Sequence, residues 1–327
     1  MEDKQINFGL DLNKNIEDSK RETNYQLGAV DKEVLMPDGQ WLEFKPECEI
    51  QRSELVDYMD CVTESAINGL SILMQKKLPL LNNWSQRFTA KMSGTTKSGN
   101  SLYAVSDCIR NKGLVLETDW TRNSGMNWNT YYAAIPTSVI GKGKKWTLQF
   151  DASYEMASTS HEALKQALKY GPVQVIGYAW AFNNEKGLYD DYGMRANHAF
   201  LLIGYVEGRK WIVYDSYPTD NIIDSNSTKQ EFIKELTWDF NFADAMLYSI
   251  KLKATDQTSW LYKLMAYLKE VIRDIHGGYW FVKGGKRQSI NTVGGILTIL
   301  ARQFGVSKDN VSDEEIKKWT VTNEFFN

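Results

Sequence analysis

Apolar positions along this chain recur first with a helical period and later with the shorter period of strands. In "DCVTESAINGLSILMQKK" (60–77), Val62, Ala66, Ile67, Leu70, Leu73 and Met74 fall at helical spacing, and Asp60 stands where an N-cap belongs. A helix is therefore predicted whose first turn carries Cys61. A second fits "SLYAVSDCIRNKG" (101–113), stopped at Gly113 with Cys108 in its interior. A third fits "TSHEALKQALKYGP" (159–172), opened by a Thr159-x-x-Glu162 capping box and closed by Gly171-Pro172. Then the runs become short, β-branched or aromatic: "VQVIGYAW" (173–180), "HAFLLIGYV" (198–206), "KWIVYDSY" (210–217) and "AMLYSIKL" (245–252). Helices first and strands later predict an α+β fold, a helical half facing a sheet half, with a ligand cleft between them.

The flanks differ in texture. Residues 1–45 are polar and turn-rich, predicting an extended N-terminal arm, with "MPDGQW" (36–41) a tight turn before a short strand. The lysines of "GKGKKW" (141–146) read as a solvated loop or hairpin turn. After residue 254 come a helical pattern over 259–275, a hairpin pattern over 277–290 and another helical pattern over 293–305. The expected organisation is an arm (1–45), a main domain (46–254) and a small C-terminal module (255–327) that serves as a docking element or a cap.

Composition narrows the function classes. With 327 residues, 43% hydrophobic and 24% charged, the chain has the make-up of a globular protein rather than a disordered one. A net charge of −3 argues against generic nucleic-acid binding. No run reaches the length of a membrane span and the first residues are polar, so a soluble, reducing, cytoplasmic setting is expected. Cys48, Cys61 and Cys108 cannot all pair within one chain, and their spacing is that of neither a zinc site nor a disulfide framework. At least one thiol is free, and no metal or organic cofactor is expected.

The chemistry concentrates in "NHAFLLIGYVEGRKWIVYDSY" (197–217). If Glu207-Gly208 forms a two-residue hairpin loop, His198 and Asp215 share a face, with His198 opposite Tyr217 and Asp215 on the diagonal. A Gly208-Arg209 loop lengthens that diagonal. A carboxylate beside an imidazole fixes the ring tautomer and stabilises the imidazolium, which suits a general base; a satisfied histidine at a strand end would look the same. Cys61 is the candidate nucleophile because helix-start amides stabilise a thiolate, although Asp60 opposes it and a buried core thiol is the plain alternative. His161 is expected on an exposed helix and His276 at the end of the 259–275 helix.

Taken in order, Cys61, "YGPVQVIGYAWAF" (170–182), "KGLYDD" (186–191), "NHAFLLIGY" (197–205) and "KWIVYDSY" (210–217) resemble the papain-like cysteine peptidases over about residues 46–254. The resemblance implies a two-lobed fold and hydrolysis of peptide bonds in a peptide or protein substrate, without a cofactor. It assigns Cys61 as nucleophile and His198 as general base, with Asp215 where the family usually has an orienting asparagine and Tyr217 in place of a shielding tryptophan. The oxyanion-hole glutamine falls on Gln51, four residues upstream of its usual spacing, where this chain has Leu55. Trp180, Tyr189, Tyr217 and Asn197 would line the substrate cleft. The segments "LMPDGQW", "ECEIQ" and "DCVTESAING" are more similar to divergent papain-like proteins of tailed bacteriophages. That likeness implies virion association, with the C-terminal module contacting other virion or cell-surface proteins. The competing expectation is an inactive papain-like scaffold in a structural or adaptor protein of a phage particle.

Overall fold

The computed structural model describes residues 7–21, 33–46, 50–78, 83–218 and 232–253, together with strands at 271–274, 279–283, 286–289, 308–311 and 320–321. Cys48, His276 and the helical pattern over 293–305 lie outside the described residues. The chain divides into two compact units, Met1–Lys251 and Leu252–Asn327.

In the first unit the helices are α1 (Leu12–Ser19), α2 (Cys61–Lys77), α3 (Gln86–Met92), α4 (Leu102–Lys112), α5 (Trp128–Tyr131), α6 (Thr137–Gln149) and α7 (His161–Leu168). Its strands are β1 (Phe150–Ala157), β2 (Val173–Gly177), β3 (Ala181–Asn183), β4 (Leu188–Asp190), β5 (His198–Val206), β6 (Lys210–Tyr214), β7 (Ile233–Thr237) and β8 (Asp244–Leu252). They form one sheet in the order β1-β8-β2-β5-β6-β7-β4-β3. Helix α2 packs on β2 and β5 on one side and on α3 and α4 on the other. That central position explains why polar Thr63, Glu64, Ser65 and Asn68 are buried along with its apolar stripe. Two of them are paired: Ser65 Oγ donates to Cys61 O at 2.7 Å and accepts from Gln174 Nε2 at 2.8 Å, and Arg122 Nη1 pairs with Glu64 Oε1 at 3.1 Å, whereas Thr63 Oγ1 is buried with no hydrogen-bond partner among the described residues.

The β5–β6 hairpin sets the site. Its loop has three residues, Glu207–Arg209, rather than the expected two, so Val206 pairs Lys210 and Gly204 pairs Ile212. A bulge at Ile203 then shifts the register, and Leu202 pairs Val213 and Leu201 pairs Tyr214. The extra loop residue and the bulge offset one another. Continued to the strand end, the restored register sets His198 opposite Tyr217 with Asp215 on the diagonal. The bulge is held from outside: Trp41 N donates to Ile203 O at 2.8 Å, and the buried Trp41 ring donates from Nε1 to Leu168 O at 2.7 Å.

Several local expectations need correction. Residues 1–45 are not simply extended, because α1 forms within them. Only Leu12 and Ile16 of α1 are apolar, and tertiary polar bonds stabilise it: Asn15 Nδ2 donates to Asp244 Oδ2 at 2.9 Å and Asn15 Oδ1 accepts from Leu102 N at 2.9 Å. The turn in "MPDGQW" is present, with Gly39 N donating to Met36 O, but a 3-10 helix (Leu42–Phe44) follows it instead of a strand. Helix α7 begins after Ser160, with no side-chain cap, rather than at a Thr159 box. His161 is half-buried, its ring 4.8 Å from Trp238 and 5.6 Å from Trp211.

"GKGKKW" is helical, not a loop, because Val139, Gly143 and Trp146 make a buried stripe while Lys142, Lys144 and Lys145 face solvent. A side chain at Gly143 would come 2.4 Å from Lys112 O, and one at Gly113 (φ +76°) 2.2 Å from Gly143 O, so these glycines let α4 and α6 touch backbone to backbone.

In the second unit β9 (Val271–Asp274), β10 (Tyr279–Lys283), β11 (Lys286–Ser289), β12 (Lys308–Val311) and β13 (Thr320–Val321) form a sheet in the order β12-β9-β10-β11-β13. The expected hairpin is β10–β11, with Lys283 opposite Lys286. The end of the expected 259–275 helix is strand β9, whose β-branched Val271 and Ile272 sit in register with Phe281 and Trp280. The rest of that pattern lies outside the described residues. Among the described residues no helix is long and apolar enough to cross a membrane.

The glycines of α6 give a paired prediction. Gly143→Ala forces a Cβ against Lys112 O and should destabilise the chain by about 1–3 kcal/mol. Gly141, which has nothing within 4 Å of its would-be Cβ, should gain up to ~1 kcal/mol on substitution by alanine. Urea unfolding midpoints of the two variants, moving in opposite directions from the parent, would check this.

Candidate active site

His198 opens β5 and Asp215 follows the last residue of β6, so the hairpin delivers both to one end of the sheet. His198 Nε2 lies 2.6 Å from Asp215 Oδ1. That oxygen also accepts the Ser216 backbone N–H at 2.8 Å, while Asp215 Oδ2 accepts from Lys234 Nζ at 2.6 Å. All three residues are buried. Burial by itself would raise the Asp215 carboxyl; the Lys234 charge, then His198 and the hydrogen bonds of both, overcome it and hold the group at about 2. An ionised carboxylate can only accept, so the proton of a neutral His198 ring sits on Nε2. Nδ1 is buried with no hydrogen-bond partner among the described residues.

Helix α2 brings Cys61 against the same strand. The thiol is buried and free, and it accepts a hydrogen bond from the backbone N–H of Ala199, the neighbour of His198. The expected lowering at the helix start is overturned. Burial pushes the thiol well above its ordinary value; the Ala199 bond opposes this, and Asp57, Asp60 and Asp215 push it further up. Nor does Asp60 cap α2 through its side chain. Its Oδ2 accepts from Tyr131 Oη at 2.5 Å, and burial, eased by Arg122, raises this carboxyl to about 7. Cys108, inside α4, is also free and buried, with burial raising it to about 12.

Gln51 reaches this corner despite its displaced position in sequence. It is fully buried, with Oε1 accepting from Ser216 Oγ at 2.9 Å. Its amide nitrogen donates to Asp57 Oδ1 at 2.9 Å and to Phe8 O at 2.8 Å. The N-terminal arm therefore crosses the site. Phe8 N donates to Asn197 O at 3.1 Å, and the Phe8 ring meets those of His198 and Tyr217 edge-on at 5.9 and 5.6 Å. The next residue, Gly9, runs so close to Met59 that a Cβ would fall 2.6 Å from its carbonyl carbon. Beyond it, Asn100 N donates to Gly9 O and Asp11 N donates to Asn100 O. A groove of about 490 Å³ borders the arm, lined by residues that include Leu10, Asn13, Ser98 and Arg195.

The remaining expected site residues gather around His198. Tyr217 is buried with its ring 5.4 Å from the imidazole, and its hydroxyl donates to Asp57 Oδ2. Trp180 packs edge-on at 5.6 Å from His198, and Tyr189 lies behind it at 5.6 Å from Trp180. Asn197 clasps Ala179 with both ends of its side chain, at 2.8 and 3.2 Å. Among the described residues no group of His, Cys, Asp or Glu is arranged to hold a metal ion.

Sequence reasoning missed Lys234, Asp57, Ser216 and Phe8. Lys234 had a signal: in "FIKEL" it alternates with Phe232 and Leu236, so it is a charge on an inward-facing row.

No family model and no curated protein matches the chain. Among solved structures it is similar to the cysteine protease and lectin-like domains of Cwp84, a surface-layer-associated protein of Clostridium difficile. That match has a TM-score of 0.52 and 16% identity over 74% of this chain; the chain spans 60% of that structure's length. Digestive procathepsin L 3 of Tenebrio molitor matches with a TM-score of 0.49 and 16% identity, over 69% of this chain and 74% of that one. The Carica candamarcensis cysteine protease CMS1MS2 matches with a TM-score of 0.47 and 12% identity, over 64% of this chain and 96% of that one. The α+β unit that carries His198, Asp215 and Cys61 has a papain-like fold, a likeness carried by the first of these matches.

Proposed function

We propose that the chain is a thiol-dependent hydrolase of peptide (amide) bonds. One observation carries the reading: His198 donates from Nε2 to an ionised Asp215 while Nδ1 is left without a bond, in a strand packed against the helix that begins at Cys61. A neutral imidazole held this way is a base waiting for a proton. In the proposed reaction the Cys61 proton passes to His198 Nδ1 as sulfur bonds to the substrate carbonyl carbon. The carbonyl oxygen takes up the electron pair and is held by the Gln51 amide and the first amides of α2. The ring then protonates the leaving amine, and water, activated by the same ring, releases the acid from the thioester.

The arm defines the state in which this machinery sits. With Phe8 O on the Gln51 amide, the donor proposed for the oxyanion is occupied by the chain itself, and Cys61 is sealed. A second reading, an inactive papain-like scaffold in a structural or adaptor protein of a phage particle, is favoured by that sealing and by the carboxylates that oppose thiolate formation. Docking of residues 255–327 to a protein partner belongs to either proposal.

Alkylation separates the two. Phe8→Asp should loosen the arm, and iodoacetamide at about pH 8 should then label Cys61 roughly tenfold or more faster than Cys108, with labelling at that site lost in Cys61→Ala. Equal slow labelling of both cysteines in Phe8→Asp would leave the scaffold.

Asp60 gives a pH test with a defined sign. Its folded value of about 7 lies above the ordinary 3.8, so the folded state binds the extra proton, and this contribution to stability is present below about pH 4 and is lost as pH rises through 7. Asp60→Asn should flatten the fall in the urea midpoint between about pH 5 and about pH 8 relative to the parent. The same variant removes a charge facing the thiol and should speed alkylation of Cys61 in the Phe8→Asp background.

A further inference from the structure

Lys234 is 2% exposed. Nζ donates to Asp215 Oδ2 at 2.6 Å and to Tyr217 O at 2.5 Å, and it lies 5.1 Å from the centroid of the Trp180 ring. A buried lysine is costly, and strand β7 places this one in a row otherwise made of Phe232 and Leu236. Packing alone does not call for a charge there.

We propose that Lys234 is a positioning residue for His198, acting through Asp215: it cancels the carboxylate's charge, so that the acid can orient the ring without trapping it as an imidazolium. The proposal rests on the thiol-hydrolase reading for its purpose, but its physics does not. A buried carboxylate 2.6 Å from an imidazole, with no other cation near, sheds its charge in one of two ways. It takes up a proton itself, or it holds a second proton on the ring. The first removes the acceptor that fixes Nε2–H, and the second removes the lone pair on Nδ1. With Lys234 in contact, Asp215 and its cation are together neutral, and the ring can remain a free base. The other titratable or charged groups facing this corner are Asp57, Asp60 and Cys61 from the start of α2 and the loop before it, Arg122 beside Asp60, Tyr217 after β6, and Arg52, whose guanidinium lies 5.6 Å from the centre of the Tyr217 ring. Neither arginine touches Asp215, so Lys234 is the cation in direct contact with the carboxylate that holds the ring.

Charge arithmetic supplies the test. Lys234→Met leaves the acid uncompensated, whereas the double variant Lys234→Met/Asp215→Asn restores a neutral pair. In full-length protein with isotope-labelled histidine, the His198 ring titration followed by NMR should move up by about one pH unit or more in Lys234→Met and return toward the parent in the double variant. Lys210→Met, which removes a surface lysine paired with Glu235, serves as the control and should leave the ring unmoved. A shift in Lys234→Met no larger than the control's, or one the double variant does not reverse, overturns the proposal. If Lys234→Met fails to fold, recovery of the fold by Asp215→Asn supports the charge coupling; equal failure of the double variant makes Lys234 structural and overturns it. Failure of the hydrolase reading is separately visible: Cys61 alkylation in the Phe8→Asp background would then be indifferent to His198→Ala, while the ring titration still reports on Lys234.

Discussion

Asp215 is a carboxylate kept ionised in the interior, and the site is arranged around satisfying it. One oxygen takes a ring proton and a backbone amide, the other an ammonium group; each donor comes from a different place in the chain. Removing any one leaves a buried charge short of a partner, which is far costlier than never having buried it. The same requirement ties β7 to the end of β6 and to the start of β5. From there the bonding continues outward: Ser216 reaches Gln51, Gln51 reaches Asp57, and Asp57 takes the hydroxyl of Tyr217, whose carbonyl receives Lys234. A closed polar circuit of this kind fixes side-chain orientation more firmly than its separate bonds would.

Electrostatics around the thiol run the other way. Three carboxylates face Cys61, and burial raises it, so the structure as it stands favours the protonated sulfur. The lysine on Asp215 and the high value of Asp60 both lessen that opposition near neutrality, the second because Asp60 carries only part of its charge there. A proton transfer concerted with attack, rather than a resting thiolate, suits such an environment.

How much of this could be read from the amino acids alone depended on period. Helices α2 and α4 were legible because their apolar residues repeat at helical spacing over several turns and Gly113 ends the second. The shared face of His198 and Asp215 was legible from alternation, although the count was right only because a bulge at Ile203 repaid the extra loop residue. Helix α6 was not legible: its glycines serve close approach to α4, a reason found only in the tertiary structure, and glycine next to lysine reads locally as a turn. Helix α1 and Phe8 were invisible for a related reason, since a short polar segment has no pattern of its own and is shaped by the partners it meets. The raised thiol was missed because a helix start argues for lowering, and only the surroundings show burial and like charge winning.

The Phe8 carbonyl on the Gln51 amide has a consequence for ligand measurements. A tethered segment is present at a fixed effective concentration that no dilution reduces, so any molecule seeking that amide competes against an intramolecular rival. Its apparent dissociation constant is its intrinsic one divided by the fraction of chains in which the arm has swung out. Weak binding in a screen would therefore measure how tightly the protein holds itself, and a series of compounds would keep its rank order while its absolute affinities slid together with every change in the arm.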